Sequence, residues 1–346
     1  MANIFEMLNK LRNIVKDRIV QIVSHWDTDG ITSAALVYHL IRDYAKKIYT
    51  KTKGKPFLVE EEDINEDAEL LVAIDIIPSN KIKKEIIYID HHPSNVSCKL
   101  KIHDENAKSA SLLIYEKILE KEQKENPYFI FLTILGFVGD NGKINDLPIE
   151  LKELANEKIP DLMKIRKLNG REFYEIERFA PLLNSGKRHN WSGDIPLELL
   201  KCINSHEPLT VGYHPLAVHL YNYKDVLKHY YFSQVDLVTV GFLDYAIISC
   251  DKNIQGVLAA RYMKERPIMV MNKYNGEIIG SLRVPENFDF DAGEFLSRFR
   301  DKIPNFVGGG HEKAGGFSFD SKYLELFLLL LKENIEKMFS SDLNVA

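Results

Sequence analysis

Cysteine is scarce, with Cys98, Cys202 and Cys250 the only three in 346 residues. They lie far apart and follow no metal-type spacing, so neither a thiolate zinc site nor a disulfide framework is expected. Long apolar runs are also missing. The longest late one, Leu326–Leu331, falls far short of the roughly 20 residues that a membrane span requires, and no membrane association is expected. Phe5–Arg18 spaces apolar residues at helical intervals among charges, unlike the uniform apolar core of a secretory signal, so the expected location is cytoplasmic. Positive charge is not in excess: 45 Lys and Arg against 50 Asp and Glu give a formal net charge of −5. That argues against a protein built to coat nucleic acid, while a local cationic patch remains compatible with an anionic partner. Neither an internal repeat nor a low-complexity tract is visible, and the length suits two globular domains.

What is present is a recurring pattern. His25-Trp26-Asp27-Thr28-Asp29-Gly30 follows the mostly apolar Ile19–Val23. Asp75 ends Leu70–Ile74, Asp90-His91-His92 ends Ile86–Ile89, and Asp140 ends Ile134–Gly139. Four times an apolar run delivers acids or imidazoles at its C-terminal end, the edge where α/β sheets build their sites. Carboxylate oxygens suit hard divalent cations, and added imidazole nitrogens shift the preference toward Mn²⁺. Two metals roughly 3.5–4 Å apart need about six such ligands, some shared; the candidates are His25, Asp27, Asp29, Asp75, His91 and Asp140. Each has a simpler reading alone. Asp27 or Asp29 can cap the helix that follows, Asp75 or Asp140 can be a turn residue, and the His pair can be surface. A purely structural account needs four unrelated coincidences, and the joint pattern favours a two-metal hydrolase.

The periodicity predicts an α/β protein of two α/β domains. The first, residues 1–146, alternates strands at Ile19–Ser24, Leu70–Asp75 and Ile86–Asp90 with helices at Ile31–Lys47, Ser111–Glu120 and Tyr128–Val138, which argues for a parallel sheet. Lys51–Asp67 is polar and reads as loop with one short element. Residues 147–236 read as a proline-broken helical connector. A smaller, mixed-sheet domain, 237–346, has strands near Val238–Cys250, Ile268–Asn272, Ile278–Val284 and Phe317–Phe319, and helices at Ile254–Lys264, Gly293–Phe299 and Tyr323–Phe339. Within it, Gly308-Gly309-Gly310-His311 can form a phosphate-cradling nest or a tight turn. Ser281 and Arg283, two apart on a strand, share a face and can address one phosphate. Asn184–His189 reads as a small basic loop whose Arg188 can reach a cleft. Tyr213, Tyr221, Tyr223, Tyr230, Tyr231 and Phe232 are candidates to stack bases, core packing being the simpler expectation for most. For Trp26, packing is the expectation.

The set His25-x-Asp27-x-Asp29-Gly30, strand-end Asp75, Asp90-His91-His92, Gly136-x-x-x-Asp140 and Gly308-Gly309-Gly310-His311 resembles the DHH phosphoesterase superfamily. More narrowly it resembles the archaeal RecJ-like exonuclease branch, a DHH domain followed by a DHH-associated C-terminal domain. The resemblance covers nearly the whole chain. It implies two Mn²⁺ ions, with Mg²⁺ as the alternative, held in the first domain by the six ligands, Asp75 bridging. It implies that His92 faces the scissile phosphate and Asp90 orients its neighbours. Arg283, Gly309, Gly310 and His311 would hold a substrate phosphate, with Ser281, Gly308 and Arg188 beside them, across an interdomain cleft. The chain ends one helix past Gly316 without the further barrel of bacterial RecJ, the shorter archaeal arrangement. The implied activity is a Mn²⁺-dependent single-strand-specific exonuclease, DNA ahead of RNA and 5′→3′, in repair or replication, with a helicase or replisome protein as a docking partner. The alternative is an oligoribonuclease or a small-nucleotide phosphodiesterase or phosphatase. A catalytically silent scaffold is disfavoured because all six ligands are retained.

Overall fold

In the computed structural model, which describes residues 4–342 apart from Pro56, Asn141 and Asn169, the apolar runs become strands of two separate sheets. The chain divides into two units, 1–225 and 226–346.

The first unit opens with α1 (Ile4–Val15), β1 (Ile19–His25) and α2 (Thr28–Ile41), then β2 (Lys47–Lys53), β3 (Leu70–Ile74), β4 (Glu85–Asp90) and β5 (Leu100–His103). These strands form a parallel sheet in the order β2-β1-β3-β4-β5. Every residue of β3, Leu-Leu-Val-Ala-Ile, is buried, as a central parallel strand covered on both faces must be. The chain leaves β1 for β2 on one side and returns to β3 on the other. The C-terminal ends of β1 and β3 therefore flank the switch point at which open α/β sheets form crevices.

Covering helices follow: α3 (Ala110–Lys117), α4 (Pro127–Gly139), α5 (Ile149–Lys158), α6 (Phe179–Asn190), α7 (Asp194–Cys202) and α8 (Pro215–Tyr231), within which the unit boundary falls. The start of α4 is encoded locally: the Asn126 side chain accepts from the N–H groups of Tyr128 and Phe129, and Pro127 supplies a preset φ at the first helical position. Gly136 lets α4 approach its neighbours closely. A Cβ there would strike Ser111 Oγ and Thr32 Oγ1 and lie 2.7 Å from Asp29 Oδ1, so this glycine keeps space beside a candidate ligand.

Several expectations need revising. The helix expected over Ile31–Lys47 ends at Ile41, and Lys47–Lys53 is an edge strand that takes in the start of the expected loop Lys51–Asp67. Its three lysines disguise it, charge being usual on edge strands. Leu100–His103 is a second edge strand that the periodicity does not predict. The residues expected to form a separate connector pack, up to 225, onto the first unit: Leu151, Ile176, Leu182 and Leu199 belong to the same core as β1 and β3. That section also contains a hairpin, β6 (Ile165–Leu168) with β7 (Arg171–Tyr174). The basic loop at Asn184–His189 is instead the second half of α6; Asn-Ser-Gly suggests a turn, but Ser185 Oγ donates back to the Leu182 carbonyl inside the helix.

The second unit is a mixed sheet. Its elements are β8 (Val238–Val240), β9 (Leu243–Ile248), α9 (Gln255–Tyr262), β10 (Ile268–Tyr274), β11 (Glu277–Arg283), α10 (Ala292–Ser297), β12 (Val307–His311), β13 (Ala314–Asp320) and α11 (Leu324–Asp342). Strand order is β8-β9-β10-β11-β13-β12, with β9 and β10 parallel and the other pairs antiparallel. Phe299, Phe306, Phe317, Phe319 and Phe327 stack into its core, Phe319 and Phe327 with ring centres 4.8 Å apart. Among the described residues no helix is long and apolar enough to cross a membrane.

Candidate metal centre

Four chain segments converge at the C-terminal edge of the parallel sheet. His25 ends β1, Asp27 is the N-cap of α2, and Asp29 sits in that helix's first turn. Asp27 takes the capping role, its Oδ1 accepting from the Gly30 N–H at 3.2 Å, while its carboxylate also lies among the candidate ligands. Asp75 directly follows β3 and adopts φ +56°, a left-handed conformation that Asp tolerates better than most residues. Asp90 is the last residue of β4, His91 and His92 follow it, and Asp140 caps the C-terminus of α4.

The six candidate ligands meet. His25, Asp27 and Asp75 offer donor atoms within 4.8 Å of one another, as do Asp29, His91 and Asp140. Asp75 connects the two groups, its Oδ2 lying 3.7 Å from His25 Nδ1 and its Oδ1 3.5 Å from His91 Nε2. His91 Nε2 is also 3.4 Å from Asp140 Oδ2 and 4.0 Å from Asp29 Oδ2. Both Asp75 Oδ1 and His91 Nε2 are buried and lack a hydrogen-bond partner among the described residues, an arrangement that buried polar atoms rarely keep unless something binds them. Neighbouring groups orient the donors: the Ala107 carbonyl, 3.1 Å from His91 Nδ1, accepts its proton and leaves Nε2 facing the acids as the atom that would ligate. The N–H groups of Ala110 and Ser111, at the start of α3, hold the Asp29 carboxylate at 2.6 and 3.0 Å. Four carboxylates and two imidazoles with no thiol fit a hard or borderline divalent cation.

The electrostatics point the same way. Burial first, then the charges of Asp75 and Asp140, raises Asp29 to about 8. Burial with Asp75 and Asp27 raises Asp140 to about 6. Burial opposes a charge on His91, yet Asp75, Asp29 and Asp140 push it up to about 10, and Asp27 with Asp75 does the same for His25. Burial alone would raise Asp27, but His25 and Lys187, the latter 3.8 Å away, hold it well below the usual carboxylate range. Crowded acids thus share protons and imidazolium charge that a cation would displace. The sign follows: the raised carboxylates and imidazoles lose protons as pH rises, so competition falls and Mn²⁺ affinity climbs from pH 6 upward. Titrating Mn²⁺ at pH 6, 7 and 8 checks this; an affinity that is flat or falls over that range would contradict it.

Beside the cluster, His92 Nδ1 lies 2.9 Å from Asp90 Oδ1, which also accepts from the His92 backbone N–H at 2.9 Å. Tyr88 Oη donates to the other Asp90 oxygen at 2.7 Å, and His103 Nε2 meets the His92 carbonyl at 2.8 Å. Burial would raise Asp90, but the bonds from His92 lower it; burial opposes charge on His92, but Asp90 raises it. Tyr88, His103 and Lys187 are not singled out by the sequence. Tyr88 carries a usable signal, since i and i+2 on a strand share a face and so place it with Asp90.

The remaining candidates divide between the units. Arg188 lies on α6 in the first. Ser281 and Arg283 share one face of β11 in the second, where Gly308–His311 form β12, an edge strand paired with β13, in place of a nest or turn. Gly310, at φ +148°, could not carry a side chain there, because a Cβ would strike the Ala314 carbonyl. The aromatic candidates also separate. Tyr221 and Tyr223 pack on the first core and Tyr230 and Tyr231 on the second unit, whereas Tyr213 and Phe232 are exposed, by 64% and 71%. Trp26 is buried against Trp191.

Residues 19–137 match the family model described as DHH family, N-terminal domain. That stretch carries a DHH-family N-terminal domain, and the chain has a RecJ-like fold. It is similar to RecJ from Thermus thermophilus in complex with Mn²⁺, at 16% identity and a TM-score of 0.65, over 96% of this chain and 55% of that one. A structure of exonuclease RecJ bound to manganese gives 16% identity and a TM-score of 0.63, over 96% and 94% of the two chains. The DHH domain of a member of a family of ribosomal proteins gives 16% and 0.59, over 99% and 92%. The chain thus spans about half the length of the Thermus protein. No curated protein matches it.

Proposed function

We propose that this chain is a Mn²⁺-dependent exonuclease on single-stranded nucleic acid, DNA ahead of RNA and 5′→3′, hydrolysing phosphodiester bonds at a two-metal centre. The observation that carries the reading is Asp75, whose two oxygens face two separate donor groups, as a bridging ligand's must. The RecJ-like fold, and the manganese in structures sharing it, support it. In this reading His25, Asp27, Asp29, Asp75, His91 and Asp140 hold the metals. Bound divalent cations supply an activated water and neutralise charge on the phosphate.

The chain's own groups do the rest. Asp90, anchored by Tyr88, fixes the ring of His92 through Nδ1. His92 can then give a proton to the leaving oxygen from Nε2, and the Asp90 carboxylate favours the charged imidazole that such a donor needs. Lys187 steadies Asp27. Arg188, Ser281, Arg283, Gly308, Gly309, Gly310 and His311 are proposed to hold substrate phosphates, the guanidiniums as charge-assisted donors.

A Mn²⁺ time course on 30-mers labelled at the 5′ or 3′ end, as DNA and as RNA, tests the reading. Immediate release of 5′-labelled mononucleotide from DNA, with the 3′-labelled chain shrinking stepwise, is expected. Intact 30-mers with cleavage of only two- to five-nucleotide RNAs would move the protein to the oligoribonuclease alternative.

A further inference from the structure

Beside the metal centre, within the first unit, lies an open recess of about 560 Å³ lined by residues 138–188. Gly139 and Gly142, which bracket Asp140, form one side of it. The recess has three features that folding alone does not explain. One wall is apolar and comes from the β6–β7 hairpin, where Leu168 stands 64% exposed beside the half-buried Phe173. Lys143, Arg178 and Arg188 contribute cations to its lining, Arg178 being paired with Glu175. Asn184, only 9% exposed, also lines it and leaves a buried carbonyl oxygen with no hydrogen-bond partner among the described residues. A buried amide with an unmade hydrogen bond is rare unless a ligand or water completes it. The one acid there, Glu177, is engaged by the Tyr174 N–H at 2.6 Å.

We infer that this recess is a nucleoside subsite: the base lies against Phe173 and Leu168, its polar edge meets the Asn184 amide, and its phosphate faces the cationic lining toward Asp140. The occupant follows from the chemistry of the walls. An apolar face suits a flat ring, an amide pairs with the donors and acceptors of a base edge, and cations suit the attached phosphate. The inference rests on the proposed action on nucleic acid and extends it, because it makes the hairpin the element that grips the terminal nucleotide.

Binding reads the subsite without turnover. Calorimetry on the full chain, with Ca²⁺ in place of Mn²⁺, compares adenosine 5′-monophosphate with ribose 5-phosphate. The nucleotide is expected to bind about tenfold tighter or more, the size of one base–aromatic contact. The double variant Leu168→Ala/Phe173→Ala should lose that preference and leave ribose 5-phosphate binding unchanged. Asn184→Leu, which keeps the volume and removes the amide, should weaken the preference without lowering the melting temperature. Equal affinities for the two ligands, or a preference that survives in both variants, would overturn the subsite. The 30-mer assay fails independently: intact 30-mers with the nucleotide preference present would sink the nuclease reading alone.

Discussion

Asp75→Asn is expected to lower Mn²⁺-dependent phosphodiester hydrolysis on the order of 10⁴-fold, because groups that act as one catalytic unit fail together. The carboxylate stands between His25 and His91, at 3.7 and 3.5 Å, and its buried Oδ1 has no hydrogen-bond partner among the described residues. An amide of the same shape offers one neutral oxygen and one nitrogen that cannot ligate. Asp75 repels Asp29 and Asp140 but pairs with His25 and His91, so the two effects of removing its charge on the apo fold oppose each other and melting must be measured beside activity. A variant that melts like the wild type, and from which excess Mn²⁺ no longer raises the melting temperature, would separate loss of metal from loss of fold. Hydrolysis within tenfold of wild type would refute the bridging role.

The second large effect is at His92. His92→Gln is expected to reduce kcat by about 10²- to 10⁴-fold, the usual worth of a positioned proton donor, with Mn²⁺ affinity within a few-fold of wild type. His92 is tied to Asp90, and Asp90 to Tyr88; in the proposed roles that chain fixes the ring, although Asp90 and His92 also lie close enough to Asp75 and His91 to hold a metal. Asp90→Asn should give a smaller loss in kcat and lower the pH above which activity declines, because the carboxylate no longer supports the imidazolium. One contact argues for the rival role: His92 Nδ1 is 3.5 Å from Asp75 Oδ1. Should His92→Gln lose Mn²⁺ affinity in step with activity, His92 is a ligand and not the proton donor.

Much of this is legible in the sequence, for physical reasons that also mark the limits. The buried parallel strands Ile19–His25, Leu70–Ile74 and Glu85–Asp90 are runs of apolar residues that end abruptly in acids or imidazoles, so strand, burial and site are written in one stretch. Asp29 and Asp140 follow the same rule although both sit at helix ends. Edge strands escape it because one side faces water: Lys47–Lys53 carries three lysines and its second half looks like loop. Asn184–His189 looks like a turn because Asn, Ser and Gly favour turns, while the helix there is set by packing, with Leu182 and Leu183 buried. The roles of Tyr88, His103 and Lys187 depend on contacts between segments and cannot be ranked from spacing. For Gly308–Gly310 the glycines announce a special backbone, but only the pairing with β13 tells strand from nest.

The most direct test of the metal centre is a count of bound Mn²⁺. Dialysis of the metal-stripped chain against Mn²⁺ at pH 8, followed by metal analysis and electron paramagnetic resonance, should find two ions per chain with the spectrum of an exchange-coupled pair. In Asp75→Asn the coupling should disappear and the count should fall. One uncoupled ion in the wild type, or a coupled pair that persists without the Asp75 carboxylate, would contradict the account.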